Sequence, residues 1–490
     1  MIDLLEKNDE FCQTSNKAIM SLIKSISGIR GTIGGFPGQG LTPVDIVSFT
    51  AAYGQWLAEE AAPLSGYKYR VVVGRDARIS GPMVVSLVCN TLRLFGIDII
   101  ELGLATTPTV EMAVIKMGFD GGIILSASHN PGNWNALKLL NSRGEFLSDK
   151  DGIKLLARAE SGQFCFAEIG QIGTSSVQDF LGPHIDSILE LPLVKVPEIR
   201  AAGFKVVVDA VNSVGGIAVP ALLEALGVKE IVCLNCDPNG EFAHNPEPIP
   251  ENLKQLSQIV KDSGADLGIA VDPDVDRLAF VCEDGQMFGE EYTLVAAADY
   301  VLSHRSGNTV SNLSSSRALR DITLNYGGQY FAAAVGEVNV VEKMKATTAI
   351  IGGEGNGGVI YPELHYGRDA MAGVALILSH LAIKGIKMSE LREQYPDYYI
   401  SKNKIQLTSE SQPDDILDSL AKIYVNFNPD LSDGVKIDFP DSWVHLRKSN
   451  TEPILRIYAE AGSIIESKEL AKKMISEILQ LMQLTKNKSV

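Results

Sequence analysis

Short apolar runs that alternate with segments of helical spacing are the feature that most limits how this chain can fold. Runs of strand length recur at 71–73, 97–102, 123–125, 205–208, 231–234, 267–271 and 349–351. The segments between them, for example residues 83–95, space their apolar side chains as an amphipathic helix does. Continuous apolar strands joined by helices are typical of mostly parallel sheets that are covered on both faces. We therefore predict an α/β fold for most of the chain.

The end of the chain has a different pattern. Residues 433–439, 443–447 and 454–460 resemble neighbouring strands of an antiparallel sheet, and a helix is expected at 467–484. A chain of 490 residues is too long for one hydrophobic core. The sequence therefore predicts three similar α/β domains with mixed or parallel sheets, followed by a C-terminal α+β domain. The expected domains, after an N-terminal extension at 1–19, are 20–175, 176–284, 285–395 and 396–490.

The charge balance limits the partners of this protein. It has 43 Lys and Arg residues against 60 Asp and Glu residues, a net charge of −17. Such an acidic chain is a poor match for nucleic acid or for an anionic membrane surface, so we expect neither as a partner. No apolar run approaches the length needed to span a membrane, and no obligate protein partner is implied. An anionic small molecule would need a local cluster of basic residues.

The cysteines and the N-terminus indicate a cytoplasmic location. Six cysteines are scattered through the chain, and Cys233 and Cys236 form its single CxxC pair. A zinc site is not favoured without a second pair, so we interpret these two as small core residues. Reduced thiols suit the cytoplasm. The first nineteen residues are polar and lack the apolar segment of a signal peptide.

The first loop whose residues could take part in chemistry follows the apolar run at 123–125. Ser128 and His129 stand at the end of this predicted strand, and Lys138 follows shortly afterwards. Ligands of open α/β sheets bind at such strand ends. A hydroxyl beside an imidazole, with an amine within reach, suits a nucleophile or a phosphoryl carrier. An ordinary serine-rich loop with one histidine is the alternative.

The second loop carries three aspartates on alternate residues, Asp272, Asp274 and Asp276, followed by Arg277. Their carboxylates can converge on one hard cation, and Mg²⁺ prefers a few carboxylates together with a phosphate oxygen. A calcium loop between two helices is disfavoured, because the position that requires glycine is Arg277 and a strand follows at once. An acidic surface turn is the other alternative, although carboxylates this close repel one another without a cation.

The third loop, residues 352–358, is rich in glycine and carries Glu354 and Asn356. Glycines let the backbone approach a ligand closely. On an extended loop the two polar side chains would point the same way, and a carboxylate with an amide is suited to sugar hydroxyls. A flexible glycine-rich turn is the alternative.

The fourth loop supplies the basic cluster that the acidic composition requires. Two guanidinium groups, Arg447 and Arg456, can hold phosphate oxygens, and Ser449 and Thr451 add hydroxyl donors. A solvated charge cluster is the alternative. Nearer the N-terminus, Arg30, Arg75 and Arg78 add further positive charge, although Arg78 has an equally good structural interpretation.

Together the four loops fit a phosphorylated sugar, and after Met20 the chain closely resembles the α-D-phosphohexomutase superfamily. The resemblance implies four domains around a central cleft. It implies that Ser128 is the phosphoserine and that its phosphate joins the three aspartates, Asp272, Asp274 and Asp276, as a Mg²⁺ ligand. It also implies a sugar-reading pair and a phosphate-binding loop. These residues are Glu354 and Asn356 for the sugar, and Arg447, Ser449, Asn450, Thr451 and Arg456 for the phosphate.

The mechanism implied by the resemblance is a phosphoryl exchange. Phosphorylated Ser128 gives its phosphoryl group to a hexose monophosphate, and the resulting sugar bisphosphate returns its other phosphoryl group to Ser128. Mg²⁺, Arg277 and Arg30 would neutralise charge. His129 and Lys138 would act as general acid and base, for which Lys138 needs a lowered pKa.

The sugar loop departs from the pattern of many relatives. Asn356 replaces a serine, and Gly358 stands where a histidine is frequent, with His365 only a distant substitute. The Glu-Gly-Asn-Gly-Gly form of this loop resembles a branch usually assigned as phosphoglucosamine mutases. Glucosamine phosphate is therefore the leading substrate, with phosphomannomutase or phosphoglucomutase activity as the alternative. A sugar-phosphate phosphatase and a non-catalytic binding protein are more distant alternatives.

Overall fold

The chain divides into two compact units. The structure is a computed structural model and describes residues 22–25, 28–60, 67–407, 413–449 and 454–488. The first unit extends to Met287 and includes Ile360–Gly385, and the second contains Phe288–Val359 and the residues from Ile386 onwards. The predicted extension at 1–19 lies outside the described residues. Within the described ranges, no helix has the length and apolar character that crossing a membrane requires.

Strands and helices alternate along most of the described chain. The strands are β1 (Leu22–Ser25), β2 (Gly28–Thr32), β3 (Arg70–Arg75), β4 (Asp98–Leu104), β5 (Gly121–Leu125), β6 (Trp134–Leu140), β7 (Ser175–Val177), β8 (Lys205–Asp209), β9 (Glu230–Leu234), β10 (Leu267–Val271), β11 (Leu278–Cys282), β12 (Thr309–Asn312), β13 (Tyr330–Ala333), β14 (Ile351–Glu354), β15 (Gly358–Ile360), β16 (Tyr399–Gln406), β17 (Val435–Asp438), β18 (Trp443–Lys448) and β19 (Ile454–Ala461). The helices are α1 (Pro43–Glu60), α2 (Gly81–Arg93), α3 (Thr107–Met117), α4 (Asp149–Ser161), α5 (Leu181–Leu189), α6 (Val196–Ala202), α7 (Gly215–Leu226), α8 (Lys254–Ser263), α9 (Glu290–His304), α10 (Ala318–Asn325), α11 (Glu337–Thr347), α12 (Ala370–Lys384), α13 (Met388–Arg392), α14 (Pro413–Ile423) and α15 (Ile464–Lys488).

The first sheet is mixed and has the order β1-β2-β6-β5-β3-β4-β7. β3 pairs in parallel with β4 and β5, as the continuous apolar runs predict. Its valines at 71–73 are fully buried, and branched side chains of this kind pack well on a pleated surface. β6 lies antiparallel to β2 and β5. The last strand, β7, extends past the boundary expected at residue 175.

The second sheet has the order β11-β10-β8-β9. β10 lies parallel to β8 and antiparallel to β11, and both β10 and β11 are buried along their whole length. The chain therefore reverses between β10 and β11 through residues 272–277. This reversal places the aspartate loop at the carboxyl end of a buried central strand, where α/β sheets bind ligands.

Helix α12 belongs to the first unit, although the sequence places its residues in the third predicted domain. All residues from 370 to 381 are buried. A helix that is apolar on every side must be enclosed by neighbouring elements. In the first unit α12 contacts α5, α6, α7 and β11, and these elements cover it.

The second unit contains two sheets of four strands. β12 lies parallel to β13 and β14 in the order β13-β12-β14-β15. The other sheet is antiparallel, in the order β16-β19-β18-β17, and α15 packs against β16 and β19. The α+β character predicted for the C-terminal part is therefore confirmed.

Two details of the sequence interpretation are wrong. The strand expected at 349–351 is β14, which begins at Ile351 and continues through two glycines. A Cβ at Gly352 would overlap Met344 and the backbone of Val310, so the glycine allows close packing there. Cys233 is exposed instead of being a core residue, because β9 is the edge strand of its sheet.

Candidate functional site

Three buried carboxylates stand side by side in the turn between β10 and β11. The side chains of Asp272, Asp274 and Asp276 are fully buried, and one ligand atom from each lies within 4.8 Å of the others. The turn folds back because the Asp272 Oδ1 atom accepts hydrogen bonds from the backbone N–H groups of Asp276 and Arg277, each at 3.2 Å. Val275 reverses the chain with a φ of 62°.

The electrostatics of this turn fit a hard cation. Burial, together with Asp276 and Asp274, raises the pKa of Asp272 well above its usual value. Within the described structure, the Oδ1 atoms of Asp274 and Asp276 are buried without a hydrogen-bond partner. Buried carboxylate oxygens are costly unless a positive charge faces them. The donor set of several carboxylates and a hydroxyl suits Mg²⁺.

Ser128 lies directly against this turn. It follows β5 in a left-handed conformation with a φ of 49°. Its Oγ atom donates a 2.6 Å hydrogen bond to Asp272 Oδ2, and the Nδ1 atom of His129 lies 3.4 Å from the same Oγ. The structure thus brings together the serine and the aspartates, which the sequence separates by more than a hundred residues.

Arg78 holds the Ser128 loop in place. The Arg78 side chain is fully buried and forms a 2.9 Å ion pair with the buried Asp76. Its guanidinium group also donates to backbone carbonyls of the loop, those of Ser128, Asn130, Pro131 and Trp134. Of the two interpretations that the sequence left open for Arg78, these contacts match the structural one.

Lys138 acts on the aspartates as a cation. Its Nζ atom lies 2.5 Å from Asp274 Oδ2 and 3.2 Å from Asp276 Oδ2. Burial lowers the pKa of Lys138, but the two carboxylates outweigh burial and raise it above its usual value. The lowered pKa that a general base requires is therefore absent from this arrangement.

Further cations surround Ser128. Arg277 and burial, with Arg30, lower the pKa of His129 well below its usual value. Burial and the neighbouring Arg277 also lower the pKa of Arg30, which lies on β2. The protein therefore places a concentrated positive charge around Ser128, in addition to the predicted cluster at Arg447.

Two residues of this site were missed by the sequence interpretation. Arg368 is 8% exposed and donates a 2.7 Å hydrogen bond to Asp276 Oδ2. Thr107, at the start of α3, donates to Asp274 through both its backbone N–H (2.8 Å, to the carbonyl oxygen) and its hydroxyl (2.5 Å, to Oδ2). Neither residue stands in a recognisable motif, because both reach the turn only through tertiary folding.

The sugar loop of the second unit is a tight turn and not an extended segment. Glu354 is the last residue of β14, and residues 355–357 connect it to β15. The Oε1 atom of Glu354 accepts hydrogen bonds from the Asn312 side chain at 2.8 Å and from the N–H of Gly336 at 3.2 Å. Asn356 caps the turn by accepting from the N–H of Gly358 at 3.3 Å. Glu354 is thus fixed by the fold.

The two arginines of the phosphate loop are neighbours across a strand pair. Arg447 on β18 stands opposite Arg456 on β19, so both side chains lie on one face. The backbone N–H of Ser449 donates to the Ile454 carbonyl at 3.0 Å. The predicted phosphate-loop residues Asn450 and Thr451 lie outside the described residues.

A short segment connects the sugar loop with the phosphate loop. Gly336 donates to Glu354, and the neighbouring Val335 N–H donates to Asp433 Oδ2 at 3.0 Å. Asp433 also lies 4.0 Å from the Arg447 guanidinium group. Glu354 and the Arg447 guanidinium group are therefore both linked to the segment that contains Val335 and Gly336.

Glu291 is a partly buried carboxylate next to Gly355 of the sugar loop, and no sequence motif indicates it. Burial raises its pKa to about 8, although Lys402 opposes this effect. Its Oε2 atom accepts a 2.9 Å hydrogen bond from the N–H of Ser316. A Cβ at Gly355 would overlap the Glu291 carboxylate, which explains the glycine after Glu354.

Comparison with known proteins gives consistent matches along the chain. Four profiles, described as phosphoglucomutase/phosphomannomutase alpha/beta/alpha domains I, II and III and C-terminal domain, match residues 22–164, 182–285, 289–399 and 404–477. The chain is 36% identical over 461 residues to a phosphoglucomutase/phosphomannomutase of Thermococcus kodakarensis, which covers 92% of this chain and 99% of that protein. It is 30% identical to a probable phosphoglucosamine mutase of Methanopyrus kandleri, covering 93% and 97% of the two chains. Among solved structures, a phosphoglucomutase/phosphomannomutase family protein of Burkholderia thailandensis has 28% identity and a TM-score of 0.79, covering 94% of this chain and 98% of that one.

The Arg78 network predicts a large loss of stability in R78M. The substitution leaves the buried Asp76 charge without its partner, which typically costs about 3–5 kcal/mol. We expect urea unfolding to show a loss of this size, and D76N/R78M to recover part of it because the buried charge is gone. R75M is the control, since the half-buried Arg75 donates to a single carbonyl of this region. An R78M loss no larger than that of R75M would contradict the assigned role.

The Glu291 carboxylate predicts a pH-dependent effect on stability. Its pKa is about 8 in the folded protein against an ordinary 4.5, so folding binds a proton between these values and stability falls as pH rises through them. Each pH unit between the two pKa values corresponds to about 1.4 kcal/mol. Glu291→Gln keeps an acceptor for Ser316 but cannot ionise.

We therefore expect E291Q to melt above the wild type near pH 8 and to match it near pH 4.5. Thermal unfolding followed by circular dichroism at one scan rate measures the difference. The exposed Glu342→Gln should show no such pH-dependent gain. A constant difference at every pH would contradict the raised pKa.

Proposed function

Because this chain belongs to the phosphoglucomutase/phosphomannomutase family, we propose that it interconverts glucosamine 6-phosphate and glucosamine 1-phosphate. The observation that carries the proposal is the hydrogen bond from Ser128 Oγ to Asp272 within a buried triad of carboxylates. A reactive hydroxyl beside a cation site is the arrangement that phosphoryl transfer requires. The chain is a phosphohexomutase; the choice of sugar is the proposed part.

Two observations support glucosamine phosphate as the substrate. The sugar loop Glu-Gly-Asn-Gly-Gly resembles the branch assigned as phosphoglucosamine mutases, and the Methanopyrus kandleri relative is a probable phosphoglucosamine mutase. Glucose and mannose phosphates form the second candidate pair, favoured by the name of the Thermococcus kodakarensis relative at 36% identity.

The proposed reaction moves a phosphoryl group twice. In the first half, the bond between the Ser128 oxygen and phosphorus breaks, a bond from phosphorus to the free sugar hydroxyl forms, and that hydroxyl loses its proton. The sugar bisphosphate then turns round in the site. In the second half its other phosphoryl group returns to the Ser128 oxygen, and a proton returns to the sugar oxygen that is released.

The residues around Ser128 have different proposed roles in the reaction. The Nδ1 atom of His129 lies 3.4 Å from Ser128 Oγ. We assign to His129 the exchange of the sugar hydroxyl proton. Lys138 holds the carboxylates of the turn, while Arg30 and Arg277 offset the charge of the phosphoryl group. Asp272, Asp274, Asp276 and the phosphate carried by Ser128 would hold Mg²⁺, which when bound neutralises negative charge on the transferred group.

The second unit would bind the sugar and its distal phosphate. Glu354 presents a fixed carboxylate to the sugar hydroxyls, and Asn356 adds an amide. Arg447 and Arg456, with Ser449, would hold the phosphate, and Asn450 and Thr451 are proposed to complete this loop.

The phosphoryl carrier role predicts a modified Ser128. After incubation with a glucose or glucosamine bisphosphate, intact-mass analysis of the wild type should show one added phosphoryl group, and peptide mapping should locate it on Ser128. Ser128→Ala should lose the modification and all measurable turnover. Ser142→Ala, which changes an exposed serine of a nearby turn, should retain both. Full turnover by S128A would remove Ser128 from the mechanism.

The substrate proposal predicts an order of specificity. We expect kcat/KM for glucosamine 1-phosphate to exceed that for glucose and mannose 1-phosphates by at least about tenfold, since discrimination by one polar contact is commonly worth more than that. A coupled assay with equal concentrations of the three substrates measures the order. A kcat/KM for glucosamine 1-phosphate below those for glucose and mannose 1-phosphates would contradict the substrate proposal. Release of inorganic phosphate at the rate of substrate loss would instead indicate a phosphatase.

A further inference from the structure

A second buried group of ionisable side chains lies behind the aspartate turn. The Oδ2 atom of Asp369 lies 2.9 Å from His184 Nε2 and 3.2 Å from His365 Nε2. The Nδ1 atom of His365 lies 3.4 Å from Glu111 Oε2. These four side chains are at most 1% exposed. They come from α3, α5 and the segment before α12, all within the first unit, and we call them the histidine cluster.

One side of the histidine cluster leads to Asp274. His184 Nδ1 lies 3.0 Å from the hydroxyl of Thr109 in the first turn of α3. Two residues earlier on the same helix, Thr107 donates from its backbone and its hydroxyl to Asp274. The start of α3 is therefore held by the cluster at one position and holds the aspartate turn at another.

The other side leads to Asp276. Arg368, next to Asp369 in the chain, donates to Asp276 Oδ2 at 2.7 Å. The N–H of Ala370 donates to the carbonyl of Val275 in the same turn at 3.3 Å. Asp369 itself begins α12, since its Oδ1 atom accepts from the N–H groups of Met371 and Ala372. The segment that carries Arg368 is thus fixed at Asp369.

Close packing at Gly367 also holds the segment that carries Arg368. A Cβ at Gly367 would overlap the Glu111 carboxylate and the ring of His365. The residue before Arg368 therefore packs directly on the cluster, with no space for a side chain. A small displacement of the cluster would be transmitted to the Arg368 guanidinium group.

The central carboxylate of the cluster, that of Asp369, has hydrogen-bond partners at both oxygens. Both carboxylate oxygens of Asp369 already accept, one from the start of α12 and the other from the two imidazoles. Burial would raise the pKa of Asp369, but His184 and His365 outweigh it and hold this pKa below its usual range. The carboxylate is therefore ionised, and both imidazoles contact the same oxygen of it.

We propose that His184, His365 and Asp369 are positioning residues that hold Arg368 on Asp276 and thereby set the affinity of the aspartate turn for a divalent cation. This inference rests on the proposed function only in assigning the cation site to Asp272, Asp274 and Asp276. Groups that orient metal-binding side chains from behind typically contribute about 10- to 100-fold to metal affinity or activity.

The test is calorimetric titration of the full-length protein with Mg²⁺, in the absence of sugar. R368M removes the contact with Asp276 at the rim of the cluster, and H365N loosens the segment behind it. We expect each variant to bind Mg²⁺ at least about tenfold more weakly. H380N is the matched control, because His380 is a buried histidine of α12 about three turns beyond Asp369. It should bind as the wild type does.

A double-mutant cycle separates positioning from general loss of structure. If His365 acts through Arg368, H365N introduced into R368M should weaken Mg²⁺ binding by less than about twofold further. A merely structural role predicts that the two effects multiply. H184N, which changes a residue of α5, should show the same dependence on Arg368.

Several outcomes would overturn the inference. They are unchanged Mg²⁺ affinity in R368M and H365N, tighter binding in R368M, multiplicative effects in the cycle, or a stoichiometric transition metal bound at the cluster. If H365N fails to fold, as judged by its thermal transition, R368M and the H184N cycle decide the question. Absence of sugar-phosphate turnover in the wild type would instead count against the proposed function, because the Mg²⁺ titration does not use the sugar.

Discussion

Mutual repulsion of three buried carboxylates is the constraint around which the first unit is organised. Asp272, Asp274 and Asp276 lie in one short turn without exposure to water. Lys138 and Arg368 offset part of this negative charge from one side, and backbone N–H groups hold Asp272 from another. The offset is incomplete, since two carboxylate oxygens in the described structure still face no donor. Buried carboxylate oxygens that lack a donor suit a divalent cation.

The positively charged residues of the site have different functions that charge alone does not reveal. Arg78 has a structural role, because its side-chain N–H groups donate to Asp76 and to backbone carbonyls of the serine loop. Lys138 is an ion-pair partner of the aspartates. Arg277, burial and Arg30 lower the pKa of His129, the residue that follows Ser128. Several cationic side chains therefore lie beside the aspartate turn of this acidic chain.

The sequence was informative wherever local pattern determines local structure. β10 was predicted at its observed limits, because it is a continuous apolar run that ends at a charged turn. Strands that lack this pattern were missed, as in β16, which alternates polar residues along an exposed face. Ser128 and the aspartates were recognised from their motifs. Arg368, Thr107 and Glu291 were not, because their importance depends on neighbours that only tertiary folding supplies.

The position of α12 shows that the domains predicted from the sequence differ from the compact units of the structure. The sequence pattern assigns α12 to the third predicted domain, but the helix packs in the first unit. Its residues follow the third sheet in the chain, yet its apolar surface is covered by α5, α6, α7 and β11. The polypeptide therefore leaves the first unit after Met287 and returns to it at Ile360. A fragment that ends at the second sheet would expose the surfaces that α12 covers and would lack Arg368. Because a ribosome makes the chain from its N-terminus, the first unit is complete only after residues 288–359 of the second unit have been synthesised.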